Sequence, residues 1–264
     1  MTAPKKIRLD LLLVDRGLFE SRAKAQAAIL AGTVFVAGEK SDKAGRPVPP
    51  DAGIEVRSKS RWVGRGAEKL SAALDRFGLS CRGRICLDIG AGSGGFTQVL
   101  LDRGAARVYA VDVGYGQFDA RLRPDPRLVL LERKNARTLT TADVPPPVDF
   151  LAMDVSFISV FKILPAIIPL LSPAAEGVIL FKPNFEAARG EVRKGGLLLD
   201  PAIHTRLLTA AAHKLADLHL FLADLIPSPL RGGDGNIEYL LKVSRANPAP
   251  VPPESVACVV AEAF

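Results

Sequence analysis

The pattern of apolar positions divides the chain into a short first part and a longer second part. In the first part, 8–17 has the apolar spacing of a helix, and a second helix is predicted from the N-cap residue Ser21 to Gly32. The segment 33–37 then alternates in the manner of a strand, and 54–57 returns as another. The pattern therefore predicts a small α+β unit of two helices and a hairpin.

Beyond Gly66, short apolar runs alternate with helical stretches. Strands are predicted at 85–88, 108–112, 128–131, 150–153, 177–181, 221–226 and 237–243. Such alternation is typical of an α/β fold with a largely parallel sheet. The turn-rich connection 227–235 favours an antiparallel pair for the last two strands. The prediction is a Rossmann-like, seven-stranded open sheet, preceded by the small α+β unit.

A glycine-rich turn follows the first of these strands and begins the next helix. Gly90, Gly92 and Gly95 match the spacing of the dinucleotide-binding fingerprint, and Asp112, at the end of the second strand, lies 22 positions after Gly90. Ligands of open α/β sheets bind at the carboxyl ends of the strands. The turn is therefore a candidate nucleotide-cofactor site, although a glycine turn without a ligand remains an alternative.

The residue Asp88, two positions before the turn, favours one cofactor class over another. Its carboxylate would repel a dinucleotide pyrophosphate and attract a cationic sulfonium. We therefore favour S-adenosylmethionine, and a nicotinamide oxidoreductase is the weaker alternative. The candidate cofactor-binding residues are Asp88, Gly90, Ala91, Gly92, Ser93, Gly94, Phe96, Asp112, Asn135, Ala136 and Asp154.

Composition narrows the class of protein. The chain has 264 residues, of which 48% are hydrophobic, enough for a substantial core. Its longest apolar candidate for a membrane span, 163–175, is interrupted by prolines, and no signal segment is evident, so we expect a cytoplasmic protein that does not enter the membrane. The three cysteines form no metal-binding or disulfide pattern, and we expect reduced thiols and no metal site.

The net charge of +7 is concentrated at the N-terminus. Residues 1–66 contain 13 lysines and arginines against 7 acids, a net charge of +6. A compact basic module suggests a polyanionic partner, because phosphate neutralisation releases counterions and provides affinity. A basic face that serves only solubility is the alternative. The candidate RNA-binding residues are Arg8, Arg16, Arg22, Lys24 and Arg65.

The order of elements in the first part resembles the S4 RNA-binding domain. The resemblance rests on the small-residue helix 21–32, which begins with Ser21 and Arg22, and on the following Val34-x-Val36-x-Gly38 segment. It implies that the N-terminal unit binds RNA.

Nearly the whole chain, from about Arg8 to Val243, closely resembles the TlyA (hemolysin A) family of ribosomal RNA 2′-O-ribose methyltransferases. The resemblance rests on segments at strand ends and loops, namely 65–70, 111–117, 153–159, 181–186 and 235–239. It implies a class I methyltransferase domain of the RrmJ/FtsJ-like type, S-adenosylmethionine as cofactor, and ribosomal RNA or ribosomal subunits as partner, with cytidine as the target. A catalytic tetrad of the wider group is matched by Lys69, Asp154, Lys182 and Glu238, while Asn184 departs from the glutamine of many relatives.

The resemblance and charge arguments together suggest roles for the tetrad. The methyl group of a sulfonium is already activated, so the enzyme must align the reactants and remove one proton from the ribose hydroxyl. Two neighbouring lysines disfavour each other's charge, so Lys182 is the candidate base, and Lys69 stays cationic beside the developing alkoxide. Asp154 and Glu238 would orient these amines.

The predicted domains are an S4-like unit at 1–58, a linker at 59–66, an FtsJ-like methyltransferase domain at 67–245 and a proline-rich tail at 246–264, with a monomer favoured. Two other functions stay open at this level. One is a noncatalytic RNA-binding or ribosome assembly factor, and the other is the membrane-active hemolysin that the family's second name suggests.

Overall fold

The computed structural model describes residues 6–56, 61–246 and 249–264. The chain divides into two compact units, Met1–Arg61 and Trp62–Phe264. The predicted linker, 59–66, spans this division, and Lys59 within it and Arg57 at the end of the predicted strand 54–57 lie outside the described residues.

The N-terminal unit is a small α+β structure. Its elements are β1 (Ile7–Arg8), α1 (Leu9–Asp15), α2 (Arg22–Leu30), β2 (Val34–Val36), β3 (Glu39–Lys40), β4 (Pro47–Val48) and β5 (Ile54–Val56). The Ser21 hydroxyl caps α2 by accepting the Lys24 N–H, as predicted. β2 pairs antiparallel with both β3 and β5, and the buried faces of the two helices and of β2 form a separate core around Leu13 and Ile29.

The second unit alternates strands and helices. Its elements are α3 (Gly66–Phe77), β6 (Ile85–Ile89), α4 (Gly95–Asp102), β7 (Arg107–Val111), β8 (Leu128–Leu131), β9 (Val148–Met153), α5 (Leu164–Ile167), β10 (Leu171–Phe181), α6 (Pro183–Glu186), α7 (Pro201–Asp217), β11 (Phe221–Pro227), β12 (Tyr239–Ser244) and α8 (Pro253–Ala263). The strands form one seven-stranded sheet in the order β11-β12-β10-β9-β6-β7-β8. β12 is antiparallel to both its neighbours, and the other pairings are parallel, which confirms the predicted fold.

Helices cover both faces of this sheet, which is why its strands read as continuous apolar runs. Successive residues of β9 show the alternation: Leu151 and Met153 join the core under α5, α7 and α8, whereas Phe150 and Ala152 join the core under α3 and α4. β6 lies in the middle, with β7 on one side and β9 on the other. The chain's strand order reverses there, which is the position where open α/β sheets bind ligands.

The C-terminal segment differs from its prediction as a proline-rich tail. Residues 253–263 form α8, which packs on α7 and β11 with Val256 and Val260 buried. Proline is compatible with the first turn of a helix, and the four-residue spacing of these valines gives α8 an apolar face. The segment therefore completes the core of the second unit.

His204 is fully buried on α7. Its Nδ1 lies 2.9 Å from the Tyr239 hydroxyl, its Nε2 lies 3.1 Å from the Leu198 carbonyl oxygen, and the edge of its ring meets Phe264. Burial lowers the pKa of His204, so the neutral ring accepts from the tyrosine and donates to the carbonyl. This bonding allows a polar ring inside an apolar core.

Candidate active site

The glycine turn between β6 and α4 lies against the end of β9. A Cβ atom at Gly90 would come within 2.0 Å of the Asp154 carbonyl oxygen, and the φ of Gly90 is +83°. Only glycine fits such a contact in a left-handed conformation. The turn therefore brings its backbone directly against the strand end that carries Asp154.

Asp112 anchors the turn from the end of β7. One carboxylate oxygen accepts the Gly92 N–H at 2.7 Å, and the other accepts the Gly114 N–H at 2.6 Å. These bonds hold a carboxylate at the rim of a cavity of about 480 Å³. The cavity is also lined by Gly90, Gly92, Val113, Lys134, Asn135, Ala136, Asp154, Ser156, Phe157 and Lys182.

A smaller cavity of about 220 Å³ lies on the other side of the turn. It is lined by Gly66, Gly90, Ala91, Gly92, Ser93, Gly95, Phe96 and Asp154. Asp154, Gly90 and Gly92 border both cavities. The two spaces therefore meet at the carboxylate after β9.

Asp154 forms an ion pair with Lys182, which directly follows β10. Their nearest charged atoms are 2.6 Å apart, and the lysine also donates to the Ser156 hydroxyl at 2.9 Å. The side chain of Lys182 is 10% exposed and that of Asp154 24%, so the pair lies at a partly shielded cavity wall. Adjacent parallel strands bring these two residues together although they are far apart in the sequence.

The other two residues of the predicted tetrad form a second, more deeply buried ion pair. Lys69 of α3 donates to the carboxylate of Glu238, and their side chains are 8% and 5% exposed. Glu238 directly precedes β12 and is buried instead of facing water. A buried pair of this kind is costly to break from one side, because the remaining charge is left without a partner.

The first turn of α3 lies near both ion pairs. A Cβ atom at Gly66 would lie 3.7 Å from a carboxylate oxygen of Asp154. Lys69 follows Gly66 by three residues, so it extends from the same face of the helix. The structure thus brings all four tetrad residues to the carboxyl ends of β9 and β10, as two ion pairs on either side of the first turn of α3.

Asp88 lies beneath the turn and lines neither cavity. Its side chain is fully buried, and one carboxylate oxygen accepts the Thr97 hydroxyl at 2.6 Å. The other oxygen has no hydrogen-bond partner among the described residues. Burial, opposed by the Thr97 bond and assisted by the charges of Asp154 and Asp112, raises the pKa of Asp88 to about 7.

Comparison with known proteins places this geometry in a family. A model of FtsJ-like methyltransferases matches residues 62–245, and a model of the S4 domain matches residues 7–54. The chain belongs to the FtsJ-like methyltransferase family. This confirms the resemblance, and S-adenosylmethionine is the cofactor of the family.

Full-length relatives share both units. The chain is 45% identical over 239 residues to the 16S/23S rRNA (cytidine-2′-O)-methyltransferase TlyA of Mycobacterium tuberculosis, covering 90% of this chain and 89% of the relative. It is 43% identical over 237 residues to hemolysin A of Brachyspira hyodysenteriae, covering 89% and 98%. A solved structure from Streptococcus thermophilus, described as a hemolysin, superposes with a TM-score of 0.77 at 38% identity, covering 99% of this chain and 96% of that one.

The FtsJ-like site fits a cationic nucleoside cofactor. Asp112 is a carboxylate at the cavity rim, suited to ribose hydroxyls, and Asn135 and Ala136 line the same cavity. Asn135 also caps the short 3₁₀ helix Ala136–Thr138, which fixes its position. The unpartnered oxygen of Asp88 is a buried polar atom without a cationic neighbour among the described residues.

Not every predicted cofactor residue faces a cavity. Asp88 lies behind the turn, and a Cβ at Gly94 would meet the side chains of Phe118 and Leu122 rather than open space. Ser93 and Phe96 line only the smaller cavity. Asp88 and Gly94 therefore shape the turn, whereas Ser93 and Phe96 line a cavity and stay predicted cofactor contacts.

The predicted RNA-binding arginines of the N-terminal unit also have structural partners. Arg8 and Arg22 both bind the fully buried carboxylate of Asp10, at 3.0 and 2.8 Å. The Arg8 hydrogen bonds hold the pKa of Asp10 well below its usual range. Arg16 donates to the Ala52 and Pro50 carbonyl oxygens. These side chains stabilise the unit's fold, and their remaining exposed surface is what an RNA could contact.

Two further predicted contacts are exposed. Lys24 pairs with Glu20 one helical turn away, with both side chains largely in solvent. Arg65 lies in the catalytic unit, where one guanidinium nitrogen would be 3.3 Å from a Cβ at Gly233. Both remain predictions as RNA contacts.

Sequence reasoning missed Phe157, which lines the larger cavity. Its side chain is 91% exposed, its φ is +65°, and its ring lies 5.2 Å from that of Phe185. A left-handed backbone conformation is strained for a phenylalanine, and backbone strain of this kind is concentrated at functional sites. A phenylalanine three residues after the cavity acid Asp154 was the only signal in the sequence.

No helix among residues 6–56, 61–246 and 249–264 is both long enough and apolar enough to cross a membrane.

Proposed function

We propose that this chain is a ribosomal RNA 2′-O-ribose methyltransferase with cytidine as its target nucleoside. The carrying observation is the two lysine–carboxylate ion pairs at the carboxyl ends of β9 and β10, one of which borders the cofactor cavity, in an FtsJ-like domain joined to an S4 domain. The relatives that match both units include enzymes described as rRNA (cytidine-2′-O)-methyltransferases. An RNA-binding module attached to a methyl-transfer site is the combination this reaction needs.

Bound S-adenosylmethionine supplies an activated methyl group on a sulfonium. The protein then has to place a ribose hydroxyl in line with that methyl and accept the hydroxyl proton. Lys182 is positioned at the wall where the cavity meets Asp154. We assign it the base, because its Nζ lies at this cavity wall, where it can accept the proton of a hydroxyl placed there.

Lys69 and Glu238 have a different role in this proposal. Their pair is buried and self-neutralising, so Lys69 keeps its charge and stabilises the developing alkoxide. Asp154 orients the Lys182 amine through its direct ion pair. The four residues thus divide into one pair that moves a proton and one that supplies a fixed charge.

The exposed ring of Phe157 suggests how the substrate is received. A ribose 2′-hydroxyl inside a packed RNA helix is hard to align with the methyl donor, so the target nucleotide is expected to leave the stack. Phe157 presents an aromatic surface beside Lys182 and Ser156 at the cavity. Stacking of a displaced base on this ring would compensate part of the unstacking cost.

The base assignment is tested with Lys182→Ala in single-turnover methylation of bound rRNA. We expect the rate to fall about 10²- to 10⁴-fold, which is the usual contribution of general-base assistance, with cofactor binding largely retained. Arg107→Ala, at the amino end of β7 and so at the opposite end of the sheet from the cavity, removes an exposed positive charge and serves as the matched control. A near-normal rate for Lys182→Ala would contradict the assignment.

Mapping of 2′-O-methyl groups on rRNA from cells with and without the protein tests the substrate. We expect one or a few cytidines to lose methylation in its absence.

Calorimetric titration with S-adenosylmethionine separates the enzyme from a noncatalytic RNA-binding factor, which would not bind it. Leakage of liposomes by the pure protein, without RNA or cofactor, would favour the membrane activity that the hemolysin name of one relative describes.

A further inference from the structure

The carboxyl ends of β6, β7 and β9 carry three acids around one turn, and only one of them has a cationic partner among the described residues. Asp154 is paired with Lys182, and Asp112 is bound by two backbone N–H groups. Asp88 receives one hydroxyl hydrogen bond, from Thr97, and its second oxygen has no partner. It is the one fully buried acid of the three.

The charges that surround Asp88 are few. Its strand neighbours in register are Ala110 of β7 and Ala152 of β9, and α4 contributes the Thr97 hydroxyl. The acids that act on it are Asp154 and Asp112, and both disfavour a further negative charge.

On the side of the sheet that α3 covers, Lys69 and Glu238 neutralise each other, and Lys242 of β12 donates to the Phe77 carbonyl oxygen at the far end of α3. A positive charge brought to the glycine turn would therefore be the missing counter-charge of Asp88.

We propose that Asp88 responds to the charge of the bound cofactor: it is ionised under the sulfonium form, and it takes up a proton from solvent when the neutral thioether product occupies the same pocket. The proposal rests on the methyl-transfer reaction proposed above. In that reaction the sulfur–methyl bond breaks with its electron pair going to sulfur, and a methyl–oxygen bond forms. The hydroxyl proton goes to the base, so the proton on Asp88 is a separate one exchanged with solvent.

The consequence is a cofactor preference that depends on pH. Burial raises the pKa of Asp88 to about 7 in the free protein, so below that pH the free protein carries a proton that sulfonium binding must expel. The affinity for S-adenosylmethionine then increases as pH rises toward 7. The affinity for S-adenosylhomocysteine, which lacks the charge, does not. Asp88 would thus help the enzyme to bind substrate cofactor in preference to product at neutral pH.

The test is calorimetric titration of the whole protein with each of the two ligands at several values between about pH 5.5 and pH 8.5, which brackets the pKa of Asp88. Repeating it in buffers of different ionisation enthalpy counts the protons exchanged. We expect the ratio of the two dissociation constants to favour S-adenosylmethionine about 10-fold more at the upper pH, as a one-unit shift in proton affinity requires. Proton release should accompany binding of the sulfonium ligand and be absent with the thioether.

Two variants locate the effect. Asp88→Asn is isosteric and cannot ionise, so its ratio should be independent of pH. Thr97→Val removes the hydrogen bond that lowers the pKa of Asp88, so the pH dependence should persist and move to higher pH. The amino and carboxylate groups that the two ligands share cancel in the ratio.

A ratio that does not change with pH in the unmodified protein would overturn the proposal, and so would a pH dependence that Asp88→Asn retains. If Asp88→Asn does not fold, an unshifted Thr97→Val profile overturns it equally. These failures leave rRNA methylation intact and are thereby distinguished from a failure of the proposed function, in which the unmodified protein methylates no rRNA.

Discussion

At the scale of single residues, the tetrad residues differ in what surrounds them. Lys182 and Asp154 border a cavity, so their pair can exchange a proton with a bound substrate. Lys69 and Glu238 are shielded from solvent. A lysine held with its counter-ion out of water is a fixed positive charge, and it costs no reorganisation when an alkoxide develops near it.

The buried ion pair of Lys69 and Glu238 allows effects on stability and on catalysis to be measured separately. Glu238→Met should reduce the free energy of unfolding by about 3–5 kcal/mol, because Lys69 remains as a buried charge without a partner. The double variant Lys69→Met/Glu238→Met removes both charges and should recover most of that loss. Urea denaturation of the single and double variants measures the difference.

Rate measurements on the same two proteins complete the test. The double variant should fold stably and still be defective in methylation, because the fixed charge is missing. Full activity of the double variant would show that Lys69 and Glu238 serve the fold alone.

The sequence could name the site residues but not their arrangement. Motif resemblance identified Lys69, Asp154, Lys182 and Glu238 by type and position. Their pairing depends on strand order, which places β10 between β9 and β12 and so decides which acid meets which lysine. The displaced position of Asp88 is likewise a property of side-chain direction that glycine spacing does not carry.

At the scale of elements, the segment after β9 and the segment after β10 are joined by three contacts. Lys182 meets Asp154, the ring of Phe185 meets that of Phe157, and Glu186 closes the far end. The Glu186 carboxylate accepts the Ser159 hydroxyl at 2.6 Å and the Val160 N–H at 2.8 Å. The single turn of α6 thus attaches the segment that carries Lys182 to the loop after β9.

Glu186 provides the prediction at this scale. Burial raises the pKa of Glu186, so an ionised carboxylate there costs stability once the pH exceeds that raised pKa, and the cost disappears as pH falls below the ordinary value. Glu186→Gln keeps an acceptor for the Val160 N–H without the charge, and its melting temperature at neutral pH should equal or exceed that of the unmodified protein. Glu186→Ala loses both hydrogen bonds and should be about 2 kcal/mol less stable.

Activity measurements show whether the Glu186 hydrogen bonds position Lys182 or only stabilise the fold. Glu186→Gln should restore the rate lost in Glu186→Ala, with the difference in kcat rather than in cofactor KM. Equal rates for both variants would mean that α6 needs no such attachment to hold Lys182.

The elements also show where sequence patterns stop being informative. The central strands were predicted closely because they are buried on both faces and read as continuous apolar runs. β10 extends back to Leu171 through Pro173, and α8 follows a run of prolines, so turn-forming residues concealed both. In each case packing against the neighbouring sheet outweighs the local preference.

At the scale of the whole molecule, the charge of the chain is divided between the two units, and the N-terminal unit holds most of the excess. Part of that charge is internal to its fold, because Arg8 and Arg22 neutralise the buried Asp10. Lys24 and Lys43 are different, since both are exposed and a solvent-exposed pair such as Lys24–Glu20 contributes little. Either lysine can therefore contact an RNA phosphate with little loss of stabilising interactions in the free protein.

Salt dependence of RNA binding tests this division. Each phosphate contact that is lost should reduce the slope of log affinity against log salt concentration by about 0.7–0.9. We expect Lys24→Gln/Lys43→Gln to bind rRNA more weakly with a shallower slope, while its melting temperature and its affinity for S-adenosylmethionine stay unchanged. Lys214→Gln, on the catalytic unit, removes a charge without changing the slope.

Arg22→Gln should behave differently, because it disturbs the Asp10 ion pairs and therefore lowers the melting temperature as well as RNA affinity. The two kinds of variant thus assign the N-terminal charge either to the RNA surface or to the fold. An unchanged salt slope in the lysine variant would place the phosphate contacts elsewhere on the chain, and the excess charge of this face would then serve solubility alone.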